Sequence, residues 1–187
     1  GYPEPAIVPL DMKGATQAHY RAMANTIVDQ FGKLDGILHN AGILGHLEPF
    51  KQITEDMFNE VMQVNLNSQF LMTQALLAAL ELAPKASVVF TTSSVGSQGR
   101  AFWGTYCISK FATEGMMQLL AAEYQNSSFR FNCINPGGTR TGMRAKAFPA
   151  EDPKTLKTAD DIMPLYLYLM SDDSQHESGR TFAAQPK

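Results

Sequence analysis

A tyrosine and a lysine separated by three residues, Tyr106 and Lys110, are the pair in this chain best suited to proton transfer. If residues 104–126 form a helix, both side chains lie on one face, one turn apart. A tyrosine alone titrates near pH ~10, and a neighbouring ammonium lowers that value. The spacing therefore predicts a phenol that exchanges protons near neutral pH, against the alternative of two solvated side chains on a helix surface.

A serine supplies a second hydroxyl for the same chemistry. Ser93 lies thirteen residues before Tyr106 and directly follows the apolar run 87–92. The carboxyl end of a buried parallel strand is where open α/β sheets bind ligands. Ser93 and Tyr106 would then hold one substrate oxygen by two hydrogen bonds, with Ser94 as the alternative serine.

The elements that must position these residues alternate along the chain. Helical periodicity predicts helices over 16–31, 54–82, 104–126 and 158–170, and short apolar runs predict strands over 6–11, 34–39, 87–92, 129–135 and 179–183. Residues 139–157 are predicted to form a loop or lid. Strands that alternate with helices of about 12 residues or more predict an α/β fold, a doubly wound parallel sheet with helices on both faces.

Length, composition and charge exclude several classes of protein. The 187 residues, 44% of them hydrophobic, suit one compact domain over 1–187, and the net charge of −3 without a basic block argues against a nucleic-acid partner. The two cysteines, Cys107 and Cys133, have no metal-binding spacing. No secretory segment or membrane-length apolar run occurs, so we expect a cytoplasmic protein with no membrane partner.

Two loops after predicted strands combine glycines with polar groups. They are Asn40-Ala41-Gly42 and Pro136-Gly137-Gly138-Thr139. Glycines let a ligand approach the backbone, and the Asn40 amide and Thr139 hydroxyl add hydrogen-bonding groups. Each stretch indicates a ligand-binding loop, with a plain turn as the alternative.

Two further polar residues, Asn65 and Asp11, lie at positions where a polar side chain needs an explanation. Asn65 interrupts an apolar helix although asparagine is a mediocre helix former, so it is either solvated or held by a specific partner. Asp11 ends the first predicted strand, where a carboxylate can cap the following helix.

Taken in order, these motifs resemble those of the short-chain dehydrogenase/reductase family. Ser93, Tyr106 and Lys110 match its catalytic set, and Asn40-Ala41-Gly42 matches its Asn-Asn-Ala-Gly motif with His39 in place of the first Asn. The stretches 103–106, 109–118 and 133–141 look, more narrowly, like the bacterial YciK-type oxidoreductases. The resemblance implies a Rossmann-like fold, and His39 is interpreted as a structural residue at a strand end.

The resemblance also assigns roles. Tyr106 would exchange a proton with the substrate oxygen, Lys110 would lower its pKa and hold the nicotinamide ribose, Ser93 would polarise the substrate, and Asn65 would order a proton-relay water. In the cofactor site, Asp11 would accept a hydrogen bond from adenine, the 40–42 loop would flank the nucleotide, and the 136–139 loop would contact the nicotinamide end.

Two family features have no counterpart in residues 1–187. One is the Gly-rich phosphate loop Thr-Gly-x-x-x-Gly-x-Gly, which with its βαβ unit would precede Gly1 and leave the domain N-terminally incomplete. The residues that choose between NAD and NADP would lie in that same portion. The other is the Asp-Gly-Gly expected near the C-terminus after Gly179.

The function predicted is hydride transfer between a nicotinamide cofactor, NADP in preference to NAD, and an alcohol or carbonyl compound. The alternative is a non-catalytic nucleotide-binding or assembly scaffold of the same fold. A serine hydrolase is excluded because no Gly-x-Ser-x-Gly elbow surrounds Ser93 or Ser94. The helices 54–82 and 104–126 would pair with their copies in a homodimer or homotetramer.

Overall fold

Four parallel strands form one sheet in the order β1-β2-β3-β4 in the computed structural model, which describes residues 5–186. Residues 1–4 and 187 of the predicted domain lie outside the described residues. The strands are β1 Gly36–His39, β2 Ala86–Thr91, β3 Phe129–Asn135 and β4 Thr181–Ala183. Each follows its neighbour in the sequence, with Gly36 opposite Ser87 and Ala86 opposite Phe129 in the register.

Helices connect the strands and cover the sheet. They are α1 Gln17–Phe31, α2 Glu55–Met62, α3 Ser68–Glu81, α4 Gly104–Glu123, α5 Gly142–Ala147 and α6 Ala159–Met170. A π-helical segment, Gln63–Asn67, joins α2 to α3, so the predicted helix 54–82 is continuous but changes its hydrogen bonding at Asn65. Within residues 5–186, no helix is both long enough and apolar enough to cross a membrane.

Alternate residues of the central strands pack against helices on opposite faces. Val88 and Phe90 of β2 lie in a core cluster with residues of α1, α3 and α4, whereas Val89 lies in a second cluster with α6. A strand buried on both faces needs apolar side chains at successive positions, which explains the continuous apolar run of β2. The prediction of a doubly wound parallel sheet with helices on both faces is therefore confirmed.

Local sequence explains where the helices begin. The Thr54 hydroxyl accepts a hydrogen bond from the Met57 N–H at 3.2 Å and caps α2, whose first turn carries two acids. Thr158 and Asp161 form a reciprocal capping box at the start of α6. These caps fix the direction in which each helix leaves its loop.

The predicted strand 6–11 is wrong. Residues 6–11 form no regular element, and Asp11 lies in an exposed turn in which its carboxylate accepts a hydrogen bond from the Lys13 N–H at 3.0 Å. A strand needs a neighbour to pair its backbone N–H and C=O groups, and within residues 5–186 no strand lies beside this segment. The apolar side chains of Ile7 and Val8 are accordingly exposed.

The predicted loop 139–157 also needs correction, because it contains α5 and a short 3₁₀ turn at Pro153–Thr155. The Thr141 hydroxyl caps α5 by accepting from the Arg144 N–H at 3.2 Å. Arg144 in turn donates two hydrogen bonds to the Glu151 carboxylate, both at 2.6 Å, which ties α5 to the following turn. The segment is a structured cover.

Candidate active site

A cavity of about 380 Å³ opens at the carboxyl ends of β1, β2 and β3. Its walls come from the loops after these strands and from α4, α5 and α6. Of the predicted site residues, the cavity brings together Asn40, Gly42, Ser93, Tyr106, Lys110, Pro136, Gly137 and Thr139. This is the edge at which open α/β sheets bind ligands.

Tyr106 and Lys110 lie one turn apart on α4, as their spacing predicts. Both are buried, with 8% and 3% of their surface exposed, and the Lys110 Nζ lies 5.5 Å from the centre of the Tyr106 ring. The ammonium donates a hydrogen bond of 2.7 Å to the Thr91 carbonyl at the end of β2. Burial lowers the pKa of Lys110 to about 8, because it removes the ammonium from water.

The pKa of Tyr106 moves in the opposite direction from the prediction. Burial raises this pKa above its usual value, the Ser93 hydroxyl lowers it, and Tyr166 raises it further. Removing the phenolate from water outweighs the neighbouring groups that would stabilise its charge. The predicted net lowering of the Tyr106 pKa is therefore wrong, and Tyr106 is a protonated phenol at neutral pH.

Ser93 and Ser94 occupy different environments. Ser93 follows β2, lines the cavity and influences the Tyr106 pKa, and its hydroxyl accepts from the Val95 N–H at 3.5 Å. Ser94 is exposed and does not line the cavity. Of the two serines, only Ser93 lines the cavity beside Tyr106.

Asn65 lies behind the cavity and is completely buried. Its Oδ1 accepts from the Ile43 N–H at 2.8 Å, and its Nδ2 donates to the Ile43 carbonyl at 2.9 Å and to the Ser109 hydroxyl at 3.1 Å. The asparagine thus fastens the loop after β1 to the π-helical segment and to α4. The Asn65 amide satisfies the backbone N–H and carbonyl of Ile43, and this explains why a polar residue occupies the buried position.

The loop after β1 passes close to this amide. A Cβ at position 42 would lie 3.2 Å from the Asn65 Oδ1 and 3.7 Å from the Lys110 Nζ, so glycine keeps that space open. The Asn40 Oδ1 accepts a hydrogen bond of 3.0 Å from the Thr91 hydroxyl. Ala41, between them, is exposed and does not line the cavity.

The loop after β3 forms the opposite rim. Gly137 has φ of +72°, a left-handed conformation that glycine adopts without strain. The buried Thr139 hydroxyl donates to the Pro136 carbonyl at 3.3 Å, which folds the loop back on itself. Gly138 and Asp11 do not line the cavity.

His39 points into the protein. It is buried, its Nε2 lies 2.8 Å from the Thr73 hydroxyl, and its ring stacks on Phe90 at a centroid distance of 4.9 Å. Burial lowers the pKa of His39 to about 4. The interpretation of His39 as a structural residue is confirmed by these contacts.

Several residues of the cavity were not among the predicted site residues. They include Leu44, Thr91, Trp103, Arg144 and Tyr166. The sequence could have predicted Trp103 as a site residue, because it lies three residues before Tyr106 at the start of the same helix. The sequence could not have predicted Tyr166, since its place in the cavity wall depends on how α6 packs across the sheet.

Comparison with known proteins agrees with this arrangement. The family model for short chain dehydrogenases matches residues 4–152. The Uncharacterized oxidoreductase YciK of Escherichia coli K12 is 56% identical over 177 residues, which cover 95% of this chain and 70% of that protein.

Solved structures of short chain dehydrogenases resemble this chain to a similar degree. A short chain dehydrogenase from Salmonella enterica serovar Typhi is 58% identical with a TM-score of 0.93, over 95% of this chain and 73% of that one. One from Escherichia coli CFT073, crystallised with NADPH, is 56% identical with a TM-score of 0.92, over the same shares of the two chains. The match to the family model and this level of identity place the chain in the short-chain dehydrogenase/reductase family of oxidoreductases.

Proposed function

We propose that residues 1–187 act as one domain of an NADP- or NAD-dependent oxidoreductase that transfers hydride between the cofactor and an alcohol or carbonyl compound. The observation that carries the proposal is the convergence of Ser93, Tyr106 and Lys110 on one cavity at the carboxyl edge of the sheet. NADP is the preferred cofactor, because similar dehydrogenases were crystallised with NADPH and with NADP.

The cavity offers groups that suit the nicotinamide and ribose end of such a cofactor. Gly42 and Gly137 leave room for close approach to the backbone, and Asn40, Lys110 and Thr139 add hydrogen-bonding groups beside it. The bound cofactor supplies or accepts the hydride. Ala41 and Gly138 would act through the shape of their loops, and the contact of Asp11 with adenine stays a prediction.

In the reductive direction, Tyr106 is the proton donor. Its raised pKa keeps the phenol protonated at neutral pH, and Ser93 donates a second hydrogen bond to the substrate oxygen. The Lys110 ammonium, held by the Thr91 carbonyl, stabilises the phenolate left after proton transfer and holds the ribose. Asn65 positions the loop after β1, and its ordering of a relay water stays a prediction.

Replacing Tyr106 with phenylalanine tests the mechanism. Tyr106→Phe removes the transferable proton while it keeps the ring, so we expect turnover to fall about 10²- to 10⁴-fold. NADPH affinity, measured by fluorescence titration, should stay unchanged. Retained turnover with unchanged cofactor binding would remove Tyr106 from the chemistry. NADPH binding without turnover of any carbonyl compound by the unmodified chain would instead favour a scaffold.

We also propose that the protein forms a homodimer or homotetramer through the surface of α2, α3 and α4. Large apolar side chains on this surface are 37–58% exposed: Phe58, Phe70, Ile108, Phe111 and Leu119. Exposed apolar residues on neighbouring helices favour association. Light scattering at micromolar concentration should give a multiple of the 20.5 kDa chain mass, and a monomeric mass would contradict the proposal.

A further inference from the structure

One side of the cavity is apolar and is built from three separate segments. This apolar wall consists of Leu44 from the loop after β1, Trp103 before α4, and Met143 and Ala147 of α5. All four pack in one hydrophobic cluster with Tyr106. The wall therefore borders the space next to the phenol that faces the substrate oxygen.

Trp103 is held in place from two sides. Its ring lies 5.9 Å from the Tyr106 ring at an interplanar angle of 49°, and 5.9 Å from the Phe148 ring at 47°. Tilted aromatic pairs at this distance are favourable and restrict ring motion. The indole is consequently a fixed surface beside the reacting group.

The backbone before Trp103 is strained. Phe102 has φ of +71°, a conformation that a bulky side chain rarely adopts. Its side chain is 60% exposed, whereas Trp103 lines the cavity. The left-handed turn thus accompanies the placement of tryptophan, rather than phenylalanine, against the ligand space.

The charge of Arg144 at this side of the cavity is already paired. Arg144 lines the cavity, but its guanidinium donates two 2.6 Å hydrogen bonds to Glu151 and stacks 3.8 Å from the centre of the Phe148 ring. A bidentate pair of this kind is among the stronger side-chain interactions. An anionic substrate would have to break this pair to bind the Arg144 guanidinium, whereas an uncharged substrate would leave it intact.

We propose that Trp103 and the apolar wall select an uncharged carbonyl compound that carries a hydrophobic ring beside the carbonyl group, or the corresponding secondary alcohol. This assignment rests on the function proposed above. In the reductive direction the carbonyl carbon gains the hydride from NADPH and the carbonyl oxygen gains the Tyr106 proton. The products are a secondary alcohol and NADP⁺, and the next proton enters from solvent.

Trp103 is the only tryptophan of the chain, so its fluorescence reports ligand binding at the wall directly. We would titrate 1-decalone, an alicyclic bicyclic ketone, and pyruvate, a small anionic ketone, with and without NADP⁺. We expect a saturable change with 1-decalone and none with pyruvate. A saturable response to pyruvate, or no response to 1-decalone in either condition, would overturn the assignment.

Turnover measured as NADPH oxidation provides the second test. Trp103→Ala should lower kcat/KM for 1-decalone at least about tenfold, because it removes an aromatic contact and buried apolar area, and should change kcat/KM for propanal less than about threefold. Trp103→Phe should recover most of the loss. Phe31→Ala, which shortens an aromatic side chain that is 68% exposed at the end of α1, is the matched control and should change neither.

The outcomes separate the two proposals. If no carbonyl compound is reduced but 1-decalone still changes the Trp103 fluorescence, the oxidoreductase function fails and the apolar binding site stands. If carbonyl compounds are reduced but pyruvate is preferred, or Trp103→Ala lowers kcat/KM for 1-decalone and propanal equally in a folded protein, the function stands and the substrate assignment fails. Circular dichroism and thermal melting of each variant verify folding.

Discussion

Lys110 and Asp11 are two charged residues for which we propose contacts with one cofactor, and the fold supports them very differently. Lys110 is 3% exposed, lies on a 20-residue helix and donates to the last residue of β2. Asp11 is exposed and bonds only locally, to the backbone of Lys13. Burial shifts the pKa of an ionisable group and leaves its interactions with neighbouring charges weakly screened. Water strongly screens the interactions of an exposed charge.

The largest effect is expected for the buried residue, Lys110. Lys110→Met keeps the side-chain length but removes the charge, so turnover should fall about 10²- to 10⁴-fold. Stability should change little, because the variant removes a buried ammonium as well as its bond to the Thr91 carbonyl. Initial rates of NADPH oxidation and a urea unfolding curve measure the two effects.

The pH dependence sharpens this prediction. Because the pKa of Lys110 is about 8, the ammonium is lost as pH rises through that value, and turnover should decline above about pH 8. Lys85→Met, at an exposed lysine paired with Asp172, is the matched control and should leave the rate and its profile unchanged. If Lys110→Met stays folded and keeps its turnover, Lys110 takes no part in the chemistry.

Histidines offer the same contrast between buried and exposed groups. His39 has its pKa lowered to about 4 by burial, against about 6.5 in an unfolded chain. Between these values the unfolded state binds more protons, so stability falls as pH decreases from about 6.5 to 4, by up to about 3 kcal/mol for this group.

Replacing His39 by asparagine should remove that part of the pH dependence, since an asparagine side chain does not titrate. Urea unfolding between pH 7 and 4.5 measures the slope for each variant. His46→Asn, at an exposed histidine, should retain the full slope. Identical slopes for the wild-type protein and His39→Asn would show that His39 is not buried in its neutral form.

Local spacing was sufficient to predict the parts of the site that lie on one element or directly after a strand. Tyr106 and Lys110 share a face because a helical turn has a fixed length, and Asn40, Ser93 and Pro136 converge because parallel strands end at one edge. The fold class followed from the same alternation of elements.

Features that depend on tertiary packing could not be predicted from the sequence. The direction of the Tyr106 pKa depends on how completely neighbouring side chains exclude water, and the cavity contribution of Tyr166 depends on how α6 crosses the sheet. The strand predicted at 6–11 is wrong for a related reason, because a short apolar run forms a strand only where another strand can pair with it. Long-range partners decide these features.

The smallest effect is expected at Asp11. If its carboxylate accepts a hydrogen bond from adenine, Asp11→Asn should weaken NADPH binding only about threefold, because one solvent-exposed hydrogen bond contributes roughly 0.5–1 kcal/mol. Stability should barely change, since the asparagine side-chain oxygen can still accept from the Lys13 N–H. Fluorescence titration against Asp29→Asn, an exposed acid on α1, provides the control. Equal affinities in all three proteins would remove Asp11 from the cofactor site, whereas a loss of more than about thirtyfold would mean that the segment is far better ordered around the nucleotide than its exposed turn indicates.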